Sequence, residues 1–405
     1  MHAHPDLSGL RPTVAGLEET RILQIIQYGR GRPGLIPLWV GEGDIPTPDF
    51  IREACDRAIR DGQVFYTHQR GLPELRAELA SYLTRVHCAP NGAAPVGEDR
   101  ITVTGSGMQA IMLTMQALLD PGDELVVVTP VWPNVVSAAR LVGGVVVEVP
   151  LQPVEGAGPA DWRLDLDALA AAVGPRTKAV FVNSPGNPTG WILERAEMQA
   201  LWDLVRVRGV WLIADEVYSR LVYDRPAAPS FLEIAGPEER LVVVNSFSKN
   251  WAMTGWRLGW LTTPPEMGLA LEKLVQINTS GTAEFVQMGG LAALRHGEAF
   301  LEETVARCRA GRDMVTRALN QVPGVSVTPP PGAFYAFLRL SGVTDSLAFA
   351  RAVVDRCAVG LAPGSAFGGG GEGHLRLCFA SSPARLEEAV ARLAPALAEL
   401  LPDPR

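Results

Sequence analysis

Seven short β-branched runs punctuate the middle of this 405-residue chain, and they constrain its fold more than any other feature. They read ITVTG (101–105), ELVVVTP (124–130), GVVVEVP (144–150), AVFVNSP (179–185), VWLIADE (210–216), LVVVNSF (241–247) and LGWLTTP (258–264). Most are apolar throughout instead of alternating. An alternating strand has one wet face, whereas a continuously apolar one must be covered on both, which is the condition of a largely parallel sheet between helices. Helix-period segments such as MQAIMLTMQALLD (108–120) and RAEMQALWDLVRVRG (195–209) fall between several of the runs. This order predicts an α/β fold whose large domain holds a mostly parallel seven-stranded sheet flanked by helices.

From about residue 290 the texture changes. A long helical stretch (298–322) leads to VSVTPPPGAFYAFLRL (325–340), read as a strand pair, and then another helix. HLRLCFA (374–380) is a strand, and PARLEEAVARLAPALAELL (383–401) an amphipathic closing helix. These form a smaller α+β domain. The expected division is 1–45, an irregular arm contributing to the small domain; 46–290, the large domain; and 291–405, the small one. The Gly/Pro-rich PVEGAGPADW (153–162) reads as a surface loop.

A hydrophobic content of 47% with 20% charged residues is that of a compact chain, not a disordered one. The net charge of -8 leaves no basic footprint for nucleic acid. The five cysteines, Cys55, Cys88, Cys308, Cys357 and Cys378, are scattered and form no C-x-x-C pair, so reduced thiols and no zinc site are expected. No apolar run approaches the ~18 residues a membrane helix needs. The start, MHAHPDLSGL, lacks a basic segment followed by an apolar one, so no secretory signal is expected and a cytoplasmic location follows. His2 and His4 read as a frayed terminus and not as metal ligands.

Ligands of open parallel sheets sit beyond the carboxyl ends of the strands. Four strand ends carry chemistry: GSGMQ (105–109), SPGNPTG (184–190), DEVY (215–218) and SFSK (246–249). The glycines and serine of the first join a strand to a helix start, where free N–H groups and the helix dipole can seat an anion. It is not a dinucleotide fingerprint, since no suitable acid ends the next strand. Asp215, at the end of a buried strand, is costly unless a cation compensates it. Tyr218 is expected one helical turn beyond it. Lys249 stands among Ser246, Ser248 and Arg257, where hydroxyls and a guanidinium can bind phosphate and where a lysine can be left nucleophilic.

A phosphate seat, a buried acid, a tyrosine, an asparagine and an activated amine on one rim match pyridoxal phosphate group by group. The motifs N-P-T-G, D-E-x-Y and S-x-S-K-x(7)-R-x-G-W, in that order, resemble those of the class I/II aminotransferases, fold-type I pyridoxal-phosphate enzymes, over nearly the whole chain. The resemblance implies that Lys249 forms the Schiff base and shuttles a proton, and that Asp215 pairs with the ring nitrogen. Asn187 and Tyr218 would bond the ring oxygen, and Ser106, Gly107, Met108, Ser246, Ser248 and Arg257 would hold the phosphate. Trp132 would stack on the ring, while Arg376 and the backbone of Gly41 would take the substrate carboxylate, with Asn187 beside them. Tyr66 matches a tyrosine that reaches the phosphate of a neighbouring subunit, implying a homodimer with active sites at its interface. Gly43 stands where the family usually has proline, which would loosen that loop.

The implied activity is transfer of an amino group from an L-amino acid to a 2-oxo acid such as 2-oxoglutarate or pyruvate. A carbon–sulfur β-lyase or a cyclopropane-forming synthase on the same fold would use the same cofactor residues. Methionine at 108, where relatives acting on dicarboxylates often have lysine, and the apolar Trp132, Ile45 and Phe334 favour a neutral, hydrophobic or aromatic donor.

Overall fold

The computed structural model describes residues 9–154 and 162–402. His2 and His4, and most of the loop read at 153–162, lie outside the described residues.

All seven runs are strands of one sheet: β1 (Ile101–Thr104), β2 (Glu124–Thr129), β3 (Val145–Pro150), β4 (Thr177–Asn183), β5 (Trp211–Asp215), β6 (Leu241–Ser246) and β7 (Gly259–Thr262). Their spatial order is β1-β7-β6-β5-β4-β2-β3. Neighbours from β6 across to β3 are parallel, and β7 runs antiparallel to both β1 and β6. Six strands therefore point the same way. The continuous apolar pattern has its reason in the packing: Val126 and Val128 of β2 enter the core on one face, and Leu125 and Val127 the core on the other. Each such side chain contributes about 1.5–3 kcal/mol on burial.

A second sheet of four strands, β8 (Val325–Ser326), β9 (Tyr335–Leu340), β10 (Ala362–Pro363) and β11 (His374–Cys378), has the order β8-β9-β11-β10 and is antiparallel throughout. The closing helix Pro383–Leu400 and the 22-residue helix Glu298–Leu319 pack with it in a third core.

Residues 9–45 hold more regular structure than the expected irregular arm. Helix α1 (Arg21–Gly29) starts at Thr20, whose side chain accepts from the Leu23 N–H at 3.3 Å. Ile22, Ile25 and Ile26 recur at helical spacing, which gives α1 one apolar face. Ile25 is fully buried in the small-sheet core, and Ile36–Pro37 pairs in parallel with Val359–Gly360. No helix among the described residues is long and apolar enough to cross a membrane.

Candidate active site

Parallel strands end together, so β4, β5 and β6 deliver Asn183, Asp215 and Ser246 to one rim. Asn183 is in register with Asp215. Because β7 runs the other way, it begins at that rim: Gly259 pairs with both Thr104 and Ser246, and Arg257 precedes it. A side chain at Gly259 would meet the Gly107 nitrogen at 2.7 Å. Only glycine lets the backbone of β7 lie against the start of helix α2 (Gly107–Leu118).

A cavity of ≈ 330 Å³ opens beyond this rim, between the two sheets. Its wall includes Gly41, Gly107, Met108, Trp132, Asn187, Asp215, Tyr218, Ser246, Ser248, Lys249, Arg257 and Arg376, so twelve of the residues singled out from the sequence meet there. Two others do not. Ser106 turns its Oγ to the Gln109 N–H at 3.0 Å, capping α2, and leaves the wall to Gly107 and Met108. Tyr66 is 90% exposed and lies outside the cavity.

Asp215 is buried, and among the described residues its carboxylate accepts only a long bond from the Val217 N–H, at 3.3 Å. Desolvation pushes its pKa up to about 7, against which that bond and the charge of Lys249 act weakly. Tyr218 follows on a tight turn, not on the helical turn expected from its spacing, because the chain from 217 to 220 bends back instead of starting a helix. The turn still places the Tyr218 ring under Lys249, with Nζ 5.9 Å from the ring centroid.

Lys249 stands on a single helical turn, Phe247–Asn250, capped by Ser246. Nζ donates to the Gly41 carbonyl at 2.6 Å. Burial lowers the amine's pKa to about 8, with Arg376 and Arg257 adding like-charge repulsion and Cys378 and Glu42 opposing. Arg257 has a left-handed backbone (φ 54), uncommon for a residue with a Cβ, and its Nη1 donates to Thr254 O at 2.6 Å. Arg376, 2% exposed, donates to Asn187 Oδ1 at 2.8 Å and to the Trp39 carbonyl, while its buried Nε has no partner among the described residues.

The loop around Gly43 is anchored, contrary to the loosening expected from loss of proline. Asp44 pairs with Arg307 and accepts from Ser382 N at 2.7 Å, Glu42 accepts from Thr254, and Thr47 Oγ1 donates to Ala252 O at 2.5 Å. These side-chain bonds replace the restraint a proline ring would give. Ile45 and Phe334 line an adjoining cavity of ≈ 550 Å³, which shares Glu42, Ser248, Lys249 and Thr254 with the first.

The sequence reading missed Ile22, Ile26, Trp39 and Tyr335, all in the cavity wall. The helical spacing of isoleucines in RILQIIQYG was the available signal for the first two. Nothing local marked the others.

The family profile described as aminotransferase class I and II matches residues 34–393. The chain belongs to this family. A probable aspartate/prephenate aminotransferase of Aquifex aeolicus is 34% identical over 90% of this chain and 92% of its own length. An aromatic-amino-acid aminotransferase of Thermococcus litoralis is 31% identical over 94% and 96%. Among solved structures, the aspartate aminotransferase of Thermus thermophilus with maleate superposes with a TM-score of 0.87 at 34% identity, over 96% of this chain and 99% of that one. An alanine aminotransferase from Pyrococcus furiosus gives 0.88 at 29%, over 96% and 100%.

The protein is thus an aminotransferase of the aspartate-aminotransferase fold and depends on pyridoxal phosphate. The cavity fits that cofactor on its own terms. A buried carboxylate with a single hydrogen bond suits a pyridinium N–H, and an amine of depressed pKa suits an aldehyde. The start of α2, with Ser246 and Arg257 beside it, suits a phosphate.

Proposed function

We propose that this aminotransferase moves the amino group of a neutral, hydrophobic or aromatic L-amino acid to a 2-oxo acid such as 2-oxoglutarate or pyruvate. The observation that carries this reading is the convergence of Asp215, Lys249 and the Arg376–Asn187 pair on one cavity whose remaining wall includes Ile22, Ile26, Met108, Ile111 and Trp132. Bound pyridoxal phosphate supplies an aldehyde for the amine and a ring that accepts the electron pair left when the substrate α-carbon loses its proton.

Lys249 works at one atom. Its Nζ would hold the cofactor's aldehyde and, when free, would act as the base that takes the proton of the substrate α-carbon. A pKa near 8 leaves part of the amine neutral, and so able to accept a proton, at neutral pH. The Asp215 carboxylate would keep the ring nitrogen protonated, a fixed charge where the ring accepts electron density. Asn187 and Tyr218 would bond the ring oxygen, and Trp132 would cover the ring. The N–H groups of Gly107 and Met108, with Ser106 beside them and with Ser246, Ser248 and Arg257, would hold the phosphate. Arg376 and the Gly41 backbone take the α-carboxylate common to donor and acceptor.

The active unit we infer is a homodimer in which Tyr66 reaches the partner's phosphate. Support comes from the consecutive Val64, Phe65 and Tyr66, exposed to 54%, 79% and 90%, a large apolar surface for a chain on its own. A panel of amino donors with 2-oxoglutarate and pyruvate tests the substrate reading. Formation of the donor's 2-oxo acid together with glutamate or alanine, fastest for aromatic or aliphatic donors, is expected. Preference for aspartate would overturn the donor class, and release of ammonia and pyruvate without an acceptor would make the reaction that of a β-lyase.

A further inference from the structure

Two contacts join the small sheet to the residues around the cofactor ring oxygen. One is Arg376 to Asn187; the other is a pair of phenols, with Tyr218 Oη and Tyr335 Oη 2.7 Å apart. Tyr335 opens β9 opposite the strand that carries Arg376 and is fully buried. We propose that Tyr335 is a positioning residue for the cofactor: its hydroxyl donates to Tyr218 Oη and so commits the Tyr218 proton to the ring oxygen. This rests on the reading of the site given above.

The direction of the bond follows from counting protons. Each phenol has one proton, and neither hydroxyl has another hydrogen-bond partner among the described residues. One proton lies between the two oxygens and the other is free. The Arg376 guanidinium sits 4.5 Å over the Tyr335 ring, and a cation there favours the phenolate of Tyr335, making it the better donor. The Gly41 backbone closes against the same hydroxyl, since a Cβ at Gly41 would meet Tyr335 Oη at 2.1 Å. Tyr335 thereby spends its proton on Tyr218, and Tyr218 keeps its own for the cavity. A phenol that accepts a hydrogen bond also donates more strongly. The charged and titratable groups around the pair are Arg376, Asp215, Lys249 and Cys378.

The test is a pH titration of the visible absorbance of the holoenzyme. Donation from Tyr218 favours the ionised ring oxygen and so lowers the midpoint at which the bound cofactor loses its proton. Tyr335→Phe removes the donor but keeps the ring beneath Arg376. Its midpoint is expected to rise by about half to one unit, with KM for the amino donor within about twofold of wild type. In a Tyr218→Phe background the same substitution should move the midpoint by less than about 0.2 unit, because its effect passes through Tyr218. An unchanged midpoint in the single variant, or a shift that persists without the Tyr218 hydroxyl, would overturn the proposal. A wild-type protein that shows no cofactor band fails the reading of the site itself, a separate outcome.

Discussion

At the cofactor end of the cavity, Asp215, Ser246 and Lys249 stand at or just past the carboxyl ends of strands of one sheet, with Asn187 in the loop after another. At the substrate end, Ile22, Gly41, Tyr335 and Arg376 come from an N-terminal helix, a loop and a second sheet. The first end is fixed by a single hydrogen-bonded framework whose strands are buried on both faces. The second depends on contacts between elements far apart in the chain, such as Arg376 to Asn187 and Lys249 to Gly41. On the function proposed above, reaction chemistry would be carried by the end built on one sheet, and substrate choice by the end that several elements share.

Lys249→Ala should break the comparison most sharply. If the end built on one sheet carries the chemistry, the variant keeps pyridoxal phosphate by its phosphate and ring contacts yet loses turnover by about four orders of magnitude or more. Single-turnover assays with an amino donor, together with cofactor retention on gel filtration, measure both. Near-normal turnover would mean that another group carries the proton.

Asp215→Asn has a smaller effect on rate, about two to four orders of magnitude, and a second effect that separates it from Lys249. With the carboxyl pKa raised from 3.8 to about 7 in the folded state, the native protein holds a proton that the unfolded chain has already lost. Stability of the cofactor-free wild type therefore falls as pH rises from about 4 to about 7. The asparagine variant has no such proton to lose. Its cofactor-free form should gain on wild type across that window, by up to about 4 kcal/mol at pH 8. The buried Glu216 beside it, pushed up to about 8 chiefly by desolvation and bonded by Ser230, contributes in both proteins; the Asp215 charge is the smallest of the causes raising it, so its difference between the two is minor. Denaturant melts at pH 5 and pH 8 decide the matter; an equal difference at both pH values would show that Asp215 stays ionised.

The same contrast explains what was legible beforehand. The strands, their order along the chain and the rim residues were readable because burial on both faces leaves a continuous apolar run, and each run ends in a local motif such as D-E-V-Y or S-F-S-K. Tyr335 was not readable. It sits in an apolar strand next to Phe334, and its role comes only from Tyr218, 117 residues earlier. Trp39 acts through its backbone carbonyl, which no side-chain pattern records. The turn at 217–220 misled because Asp at a strand end is equally at home before a helix. Gly43 misled because the tethers that hold its loop, from Arg307, Thr254 and Ser382, lie more than 200 residues away in sequence.

The smallest expected effect concerns the one place where the two ends meet. Met108 belongs to the helix start that would seat the phosphate, yet it lines the same cavity as Ile22 and Ile26. Met108→Lys leaves its backbone N–H in place and adds an ammonium where a distal carboxylate would lie. A partly exposed ion pair stabilises by up to about 1 kcal/mol, so the ratio of kcat/KM for aspartate to that for phenylalanine should rise by up to roughly fivefold. The change should appear in KM for aspartate, with kcat for phenylalanine nearly unaltered, because the reacting atoms are held at the other end. A fall in kcat for both donors would instead place residue 108 wholly in the phosphate seat and move the boundary between the two ends toward α1.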